Sequence, residues 1–178
     1  MSASVMTTIS TLQLDKLEII VKRLSGIKDI RHDDDSVLFH FHDKDGDDVT
    51  GYFQILNETQ LRGMLPLTIP ESHTISGMIA TAVYNGRPDI HGTFACMTKL
   101  GDKIGVCLEM DMDIEGGVSE DNMSYKLQVF INHINLFETK ILDMIRELGE
   151  DSSFLKGGFW ENAGAFIGGV FQGISLVK

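Results

Sequence analysis

Three local patterns predict an α+β fold with helices on one face of an antiparallel sheet. The elements run in the order α-β-β-β-α-β-β-α, followed by a Gly-rich apolar C-terminal segment. The first pattern is a long amphipathic helix: Met123, Leu127, Phe130, Ile131, Ile134, Phe137, Ile141, Ile145 and Leu148 keep one apolar stripe at about 3.6 residues per turn. The second is a half-buried strand, in which Ile104, Val106, Leu108, Met110 and Met112 alternate with Gly105, Cys107, Glu109, Asp111 and Asp113. The third is a pair of period-two runs, Val37-Phe39-Phe41 interleaved with Leu38-His40-His42, and Val49 to Ile55 after a polar loop. Elements of these lengths bury their apolar sides by packing as two layers.

In chain order, Leu12, Leu17, Ile20, Val21 and Leu24 recur at helical spacing, with Ser10 or Thr11 available as a cap and Gly26 ending the run. The two alternating runs follow as strands. Leu61 to Ile69 is a third strand, and Pro66 places it at an edge or a bulge because proline cannot donate to a ladder. Pro70-Glu71-Ser72 opens a helix through Ile75, Met78, Ile79, Ala82 and Val83. Gly101-Asp102 suits a type II′ hairpin turn, since glycine supplies the positive φ at its first central position. That turn sets Leu100 opposite Lys103 and Cys96 opposite Cys107. After Glu115-Gly116-Gly117, Ser119 caps the long helix, and Glu120 and Asp121 sit favourably at the positive end of its dipole.

The order from Ile79 to Ile141 (an apolar helix ending in Tyr84-Asn85-Gly86, a hairpin with an acidic alternating strand, then Glu115-Gly116-Gly117-Val118-Ser119-Glu120 into a capped helix) resembles the YbjN-like family of proposed sensory-transduction regulators. The resemblance covers Leu12 to Leu148 and implies a fold like that of type III secretion chaperones. It also implies a non-catalytic module that binds another polypeptide, and a homodimer. Members often carry a Trp-Asn pair at the end of the central helix; here Tyr84-Asn85 keeps only the Asn. The expected division is a YbjN-like domain over residues 1–149 and a C-terminal tail over 150–178.

Composition narrows the function. At 43% hydrophobic and 23% charged residues the chain of 178 is globular and of single-domain size. Its net charge of −11, from 26 acids against 15 bases, repels phosphate backbones, so no nucleic acid is expected as ligand. No basic and apolar leader precedes Asp15-Lys16, which sets a cytoplasmic expectation.

Candidate chemistry reads blandly. Asp43-Lys44-Asp45-Gly46-Asp47-Asp48 suggests calcium, but an EF-hand loop needs Gly at its sixth position and Glu at its twelfth, where Asp48 and Gln54 stand; an acidic turn fits better. His40 and His42 share a strand face without a convincing third ligand from His32, Asp43 or Glu109, so no metal is expected. Cys96 and Cys107 occupy a hydrogen-bonded pair, where side chains diverge. They are expected as free thiols on the outer face with Phe94. Glu109, Asp111, Asp113 and Glu115 read as a solvated face rather than an acid/base pair. No cofactor motif is present, since Gly116-Gly117 lacks the lysine of a phosphate loop. The expectation is therefore not an enzyme.

The partner-binding residues expected are Leu38 and Phe94, apolar on an outward face, and Trp160, Phe166, Val170 and Phe171 in the tail. Gly157 to Val177 has the length of a membrane span with one formal charge, Glu161, and small residues four apart at Gly164/Gly168, Ala165/Gly169 and Gly169/Gly173. Such a segment needs packing or lipid to remain helical. Docking within the chain, docking in a dimer, and membrane contact all meet that need. The alternative function is accordingly a peripheral membrane adaptor.

Overall fold

The computed structural model describes residues 8–42 and 48–150. The elements are β1 (Thr8–Ile9), α1 (Leu14–Val21), β2 (Asp29–Asp33), β3 (Ser36–His42), β4 (Asp48–Asn57), β5 (Gln60–Ile69), a 3₁₀ turn (Glu71–His73), α2 (Thr74–Asn85), β6 (Phe94–Leu100), β7 (Lys103–Asp113), β8 (Val118–Ser119) and α3 (Glu120–Glu150). Six strands form one antiparallel sheet in the order β2-β3-β4-β5-β7-β6, and β1 pairs with β8 apart from it. The three helices pack on one face of this α+β arrangement. All eight expected elements are present.

The inner face is built around aromatic contact. Phe39 and Phe53 on neighbouring strands stand 5.0 Å apart between ring centroids, and Phe130 of α3 meets Phe53 at 5.5 Å. All three rings are fully buried, as are Leu65, Val106 and Leu108 beneath the helices. The α3 stripe from Met123 to Ile145 is buried along its length. Its start is fixed by the expected cap, the Asn122 N–H donating to Ser119 Oγ at 3.2 Å. The hairpin also forms as its turn residues require: Gly101 has φ +62° and Asp102 does not share the positive φ, which is the type II′ combination, and Cys96 faces Cys107.

Three details differ from the sequence reading, each for a physical reason. The first helix begins at Leu14 with Gln13 before it and no side-chain cap, because Leu12 is held outside the helix by its N–H bond to the Glu58 carbonyl at 2.7 Å. β2 has no sequence signal: Asp-Ile-Arg-His-Asp carries a single apolar residue and becomes a strand only by pairing with β3. β5 is an interior strand despite Pro66. The ladder to β4 ends at Tyr52 and Met64, and pairing parity counted from the hairpin turn aims the Pro66 nitrogen at the β4 side, beyond that end. The missing donor therefore breaks no ladder bond.

The fourth difference concerns α2. Spacing marks this helix by Ile75, Met78, Ile79, Ala82 and Val83, but the residues turned inward are Ser76, Gly77, Ala80, Thr81 and Tyr84. Ile75, Met78 and Val83 are exposed at 44%, 48% and 44%. The helix is seated too close for anything larger: a Cβ on Gly77 would lie 2.7 Å from Ile69 Cδ1 and 3.2 Å from Met97 Sδ. Apart from Tyr84, small residues face in, and the larger aliphatic ones are left partly outside.

Replacing Phe53 by Ala removes the ring shared by Phe39 and Phe130, and is expected to cost about 3–5 kcal/mol in urea unfolding. A loss below about 1 kcal/mol would show that the helical layer does not depend on this contact.

Candidate functional site

The face of the sheet opposite the helices is the one broad surface that no described element covers. Period-two alternation puts Leu38, Tyr52, Met64, Glu109 and Phe94 there, and the register lines them up. Leu38 stands opposite Tyr52, Tyr52 opposite Met64, Met64 opposite Glu109, and Glu109 opposite Phe94. Arg31 extends the row onto β2. With about 4.8 Å between strands, Leu38 and Phe94 are about 19 Å apart at the two ends of one row that Glu109 interrupts. Phe94 is exposed; Leu38, Tyr52 and Met64 are half-buried. The Tyr52 hydroxyl contacts Met64 Sδ at 3.0 Å, and burial, aided by nearby Cys107 and Glu109, pushes its pKa up, so it stays a neutral hydroxyl.

A charged margin borders the row. Arg62 donates from Nε to Asp111 Oδ1 at 2.8 Å, an interaction that holds the guanidinium firmly protonated. Glu109 accepts from Cys96 Sγ at 2.9 Å. Asp111 is thus ion-paired and exposed, which suits a solvated margin and not a proton-transfer pair.

Both cysteines are free and both lie on this outer face. Cys107 nevertheless has no exposed surface, contrary to the solvated face expected for it, because it stands between Pro66 on β5 and Cys96 on β6. Burial, followed by the nearby Glu109 carboxylate, pushes each thiol up to about 12. Neither is a nucleophile near neutral pH.

The edges of the sheet are partly blocked against an added strand. Parity points the free backbone groups of β6 outward at Ala95, Met97 and Lys99. At Ala95 both are taken: the Asn85 side chain donates to the carbonyl at 2.8 Å and accepts from the N–H at 2.6 Å. Asn85 therefore acts as a strand residue supplied by the end of α2, and Lys99 guards what remains. The β2 edge is charged at Asp29, Arg31 and Asp33.

The remaining candidates do not assemble. His40 Nδ1 shares a hydrogen bond with Thr50 Oγ1 at 2.9 Å, while His32 faces the helical side opposite Val37 and approaches Glu18 at 4.0 Å. Among the described residues no three His, Cys, Asp or Glu side chains converge on a metal position. Two clefts, of about 620 Å³ beside Ile69, Lys99 and Lys103 and of about 280 Å³ beside Thr93, Met110 and Tyr125, include neither His40 nor Glu109. The acidic turn from Asp43, and Trp160, Phe166, Val170 and Phe171, lie outside the described residues. No helix among the described residues is long and apolar enough to cross a membrane.

Sequence reasoning placed Leu38 and Phe94 on the outer face but missed Tyr52 and Met64 between them. Their parity was readable from Phe53 and from Leu61-Gly63-Leu65; the β4/β5 register that joins them was not.

No family model and no curated protein sequence matches the chain. Among solved structures it is similar to YbjN of E. coli, a protein put forward as a transcription regulator, with a TM-score of 0.52 and 14% identity over 77% of this chain and 91% of that one. An uncharacterized protein from Methanothermobacter thermautotrophicus aligns at a TM-score of 0.43 and 8% identity, over 75% and 96% of the two chains. The likeness to YbjN is one of fold.

In the native protein at pH 8, both thiols are expected to alkylate at least about a hundredfold more slowly than free cysteine, because raised pKa values suppress the thiolate. Both should react promptly in urea. The same shifts make stability fall as pH rises from about 9, the ordinary thiol value, through about 12, since only the unfolded chain then ionises freely. A rapidly reacting native thiol would place that cysteine in solvent.

Proposed function

We propose that this protein is a non-catalytic, regulatory module that binds another polypeptide through the open face of its sheet. The observation that supports this reading most directly is the row Leu38-Tyr52-Met64, an apolar strip across three neighbouring strands, with Phe94 at the far edge beyond Glu109. A buried apolar centre with a polar rim is the usual anatomy of a protein interface. The YbjN likeness supports the fold on which such a surface is built.

The shape of the surface indicates how a partner binds. Strand addition needs a run of free backbone donors and acceptors, and Asn85 occupies the pair at Ala95. A sheet face instead accepts an apolar helix face or a second apolar sheet, and here aromatic and thioether side chains supply adaptable contact area. Regulation through such a surface would act by way of a protein, because a net charge of −11 opposes direct approach to DNA. A second copy of the chain is one partner of the required chemistry. Thiols held protonated and the ion-paired Asp111 carboxylate supply no activated nucleophile or base on this face, which favours binding over catalysis.

The test is affinity capture from the native cell with the wild-type chain and with Leu38→Glu/Phe94→Glu. Loss of a reproducible partner is expected, with unfolding free energy changed by less than about 1 kcal/mol since neither residue belongs to the inner core. Sedimentation of both proteins shows whether that partner is a second copy. Identical captures and identical sedimentation would remove the open face from the binding mechanism.

A further inference from the structure

We infer that the apolar outer face of α2 is the docking site of the chain's own C-terminal segment, Phe159 to Val177. The inference is independent of the open sheet face, which lies on the other side of the sheet.

The surface needs a cover. On a helical projection Ile75, Met78, Ile79 and Ala82 fall within about 100°, with Val83 beside them. Three of these side chains are among the most exposed large apolar groups described, while the opposite arc is Ser76, Gly77, Ala80, Thr81 and Tyr84. A helix that turns its larger residues outward has its amphipathicity reversed, and a continuous aliphatic ridge of this kind marks a contact surface.

The route of the chain selects the occupant. Phe130 of α3 lies over Phe53, and Phe137 meets Tyr84 near the end of α2 edge-on at 5.3 Å. Beyond Phe137, α3 continues for thirteen residues to Glu150, about 20 Å, and it packs against the 3₁₀ turn Glu71–His73 that precedes α2. The chain therefore leaves α3 near the start of α2, where Ile75 is exposed. The residues between Glu150 and Phe159 can span up to about 30 Å, and the ridge from Ile75 to Val83 is only about 12 Å long. The segment reaches it without crossing the sheet. Tethering also gives it an effective concentration in the millimolar range, which favours it over a second copy.

The chemistries match. Phe159, Trp160, Phe166, Ile167, Val170, Phe171 and Ile174 bring apolar area with a single charge at Glu161. On a helix these seven residues would share one arc of about 140°, with Gly164, Gly168, Gly169 and Gly173 on the other side, so a single apolar face would meet the ridge of Ile75, Met78 and Ile79. Burying both surfaces removes two apolar areas from water at once.

The experiment replaces Met78 by the photo-crosslinking residue benzoylphenylalanine in the full-length chain. A 1:1 mixture of light and ¹⁵N-labelled protein is irradiated, and the cross-linked peptides are mapped by mass. The expected result joins the α2 peptide to a residue between Phe159 and Val177 within one chain, in a product of monomer mass. The same probe at exposed Tyr125 should give no such product. Val170→Glu, which puts a charge within the apolar face of the segment but leaves the described fold untouched, should abolish the Met78 cross-link. Trp160 emission in the full-length Met78→Glu protein should shift to longer wavelength. Mixed light/heavy products, a cross-link that survives Val170→Glu, or no capture of the segment would overturn the inference, the first in favour of a second copy.

Discussion

The packing of α3 along the inner face of the sheet is the contact on which the other elements depend. Phe130 packs on the Phe53 ring of the Phe39–Phe53 pair, and Tyr84 brings α2 against Phe137. At the other end Arg23 pairs with Glu120, and the Ser25 N–H donates to Gln128 Oε1 at 2.8 Å, tying the chain after α1 to the same helix. One long amphipathic element thus organises three connections that lie far apart in sequence. A helix of 31 residues can do this because its apolar stripe stays buried from Met123 to Ile145.

Using the inner face so completely settles the character of the outer one. Along β3, β4, β5 and β7 successive side chains alternate, so their apolar inner set leaves the intervening residues to define the opposite surface. On β7 those residues are Cys107, Glu109 and Asp111; on β4 and β5 they include Tyr52 and Met64. The outer face is therefore graded. It is buried at Cys107, half-buried along the row, and charged at the Arg62–Asp111 margin. Such grading suits recognition, because the centre excludes water while the margin sets orientation.

How much of this was legible in the sequence follows from the range of each signal. Periodicity within one element identified the hairpin, the three strands that open and follow the polar loop, and α3, since those patterns report burial of one side along contiguous residues. It could not report β2, whose Asp-Ile-Arg-His-Asp becomes a strand only through β3, or the row joining Tyr52 to Met64, which exists only through register. Pro66 shows the same limit from the other direction: its effect on a ladder depends on where the neighbouring strand stops. The retained Asn85 of the Tyr-Asn pair acquires a role only when Ala95 is placed beside it.

The reversal in α2 is the most instructive departure, because there the pattern was read correctly and its usual interpretation failed. An apolar stripe ordinarily marks the inward side of a helix, since burying it lowers free energy. That rule compares one side with the other under the assumption that both could be accommodated. At α2 they could not: Ile69 and Met97 approach the helix so closely at Gly77 that the smaller side is the only one that fits, whatever its polarity. Steric access thus outweighs hydrophobic preference over two turns of helix, leaving Ile75, Met78 and Val83 in contact with water. Stability alone would favour less apolar residues at those three positions, where the fold leaves nearly half of each side chain in water. Their aliphatic character is therefore a property of the surface, and it points to what the surface contacts rather than to how the domain folds.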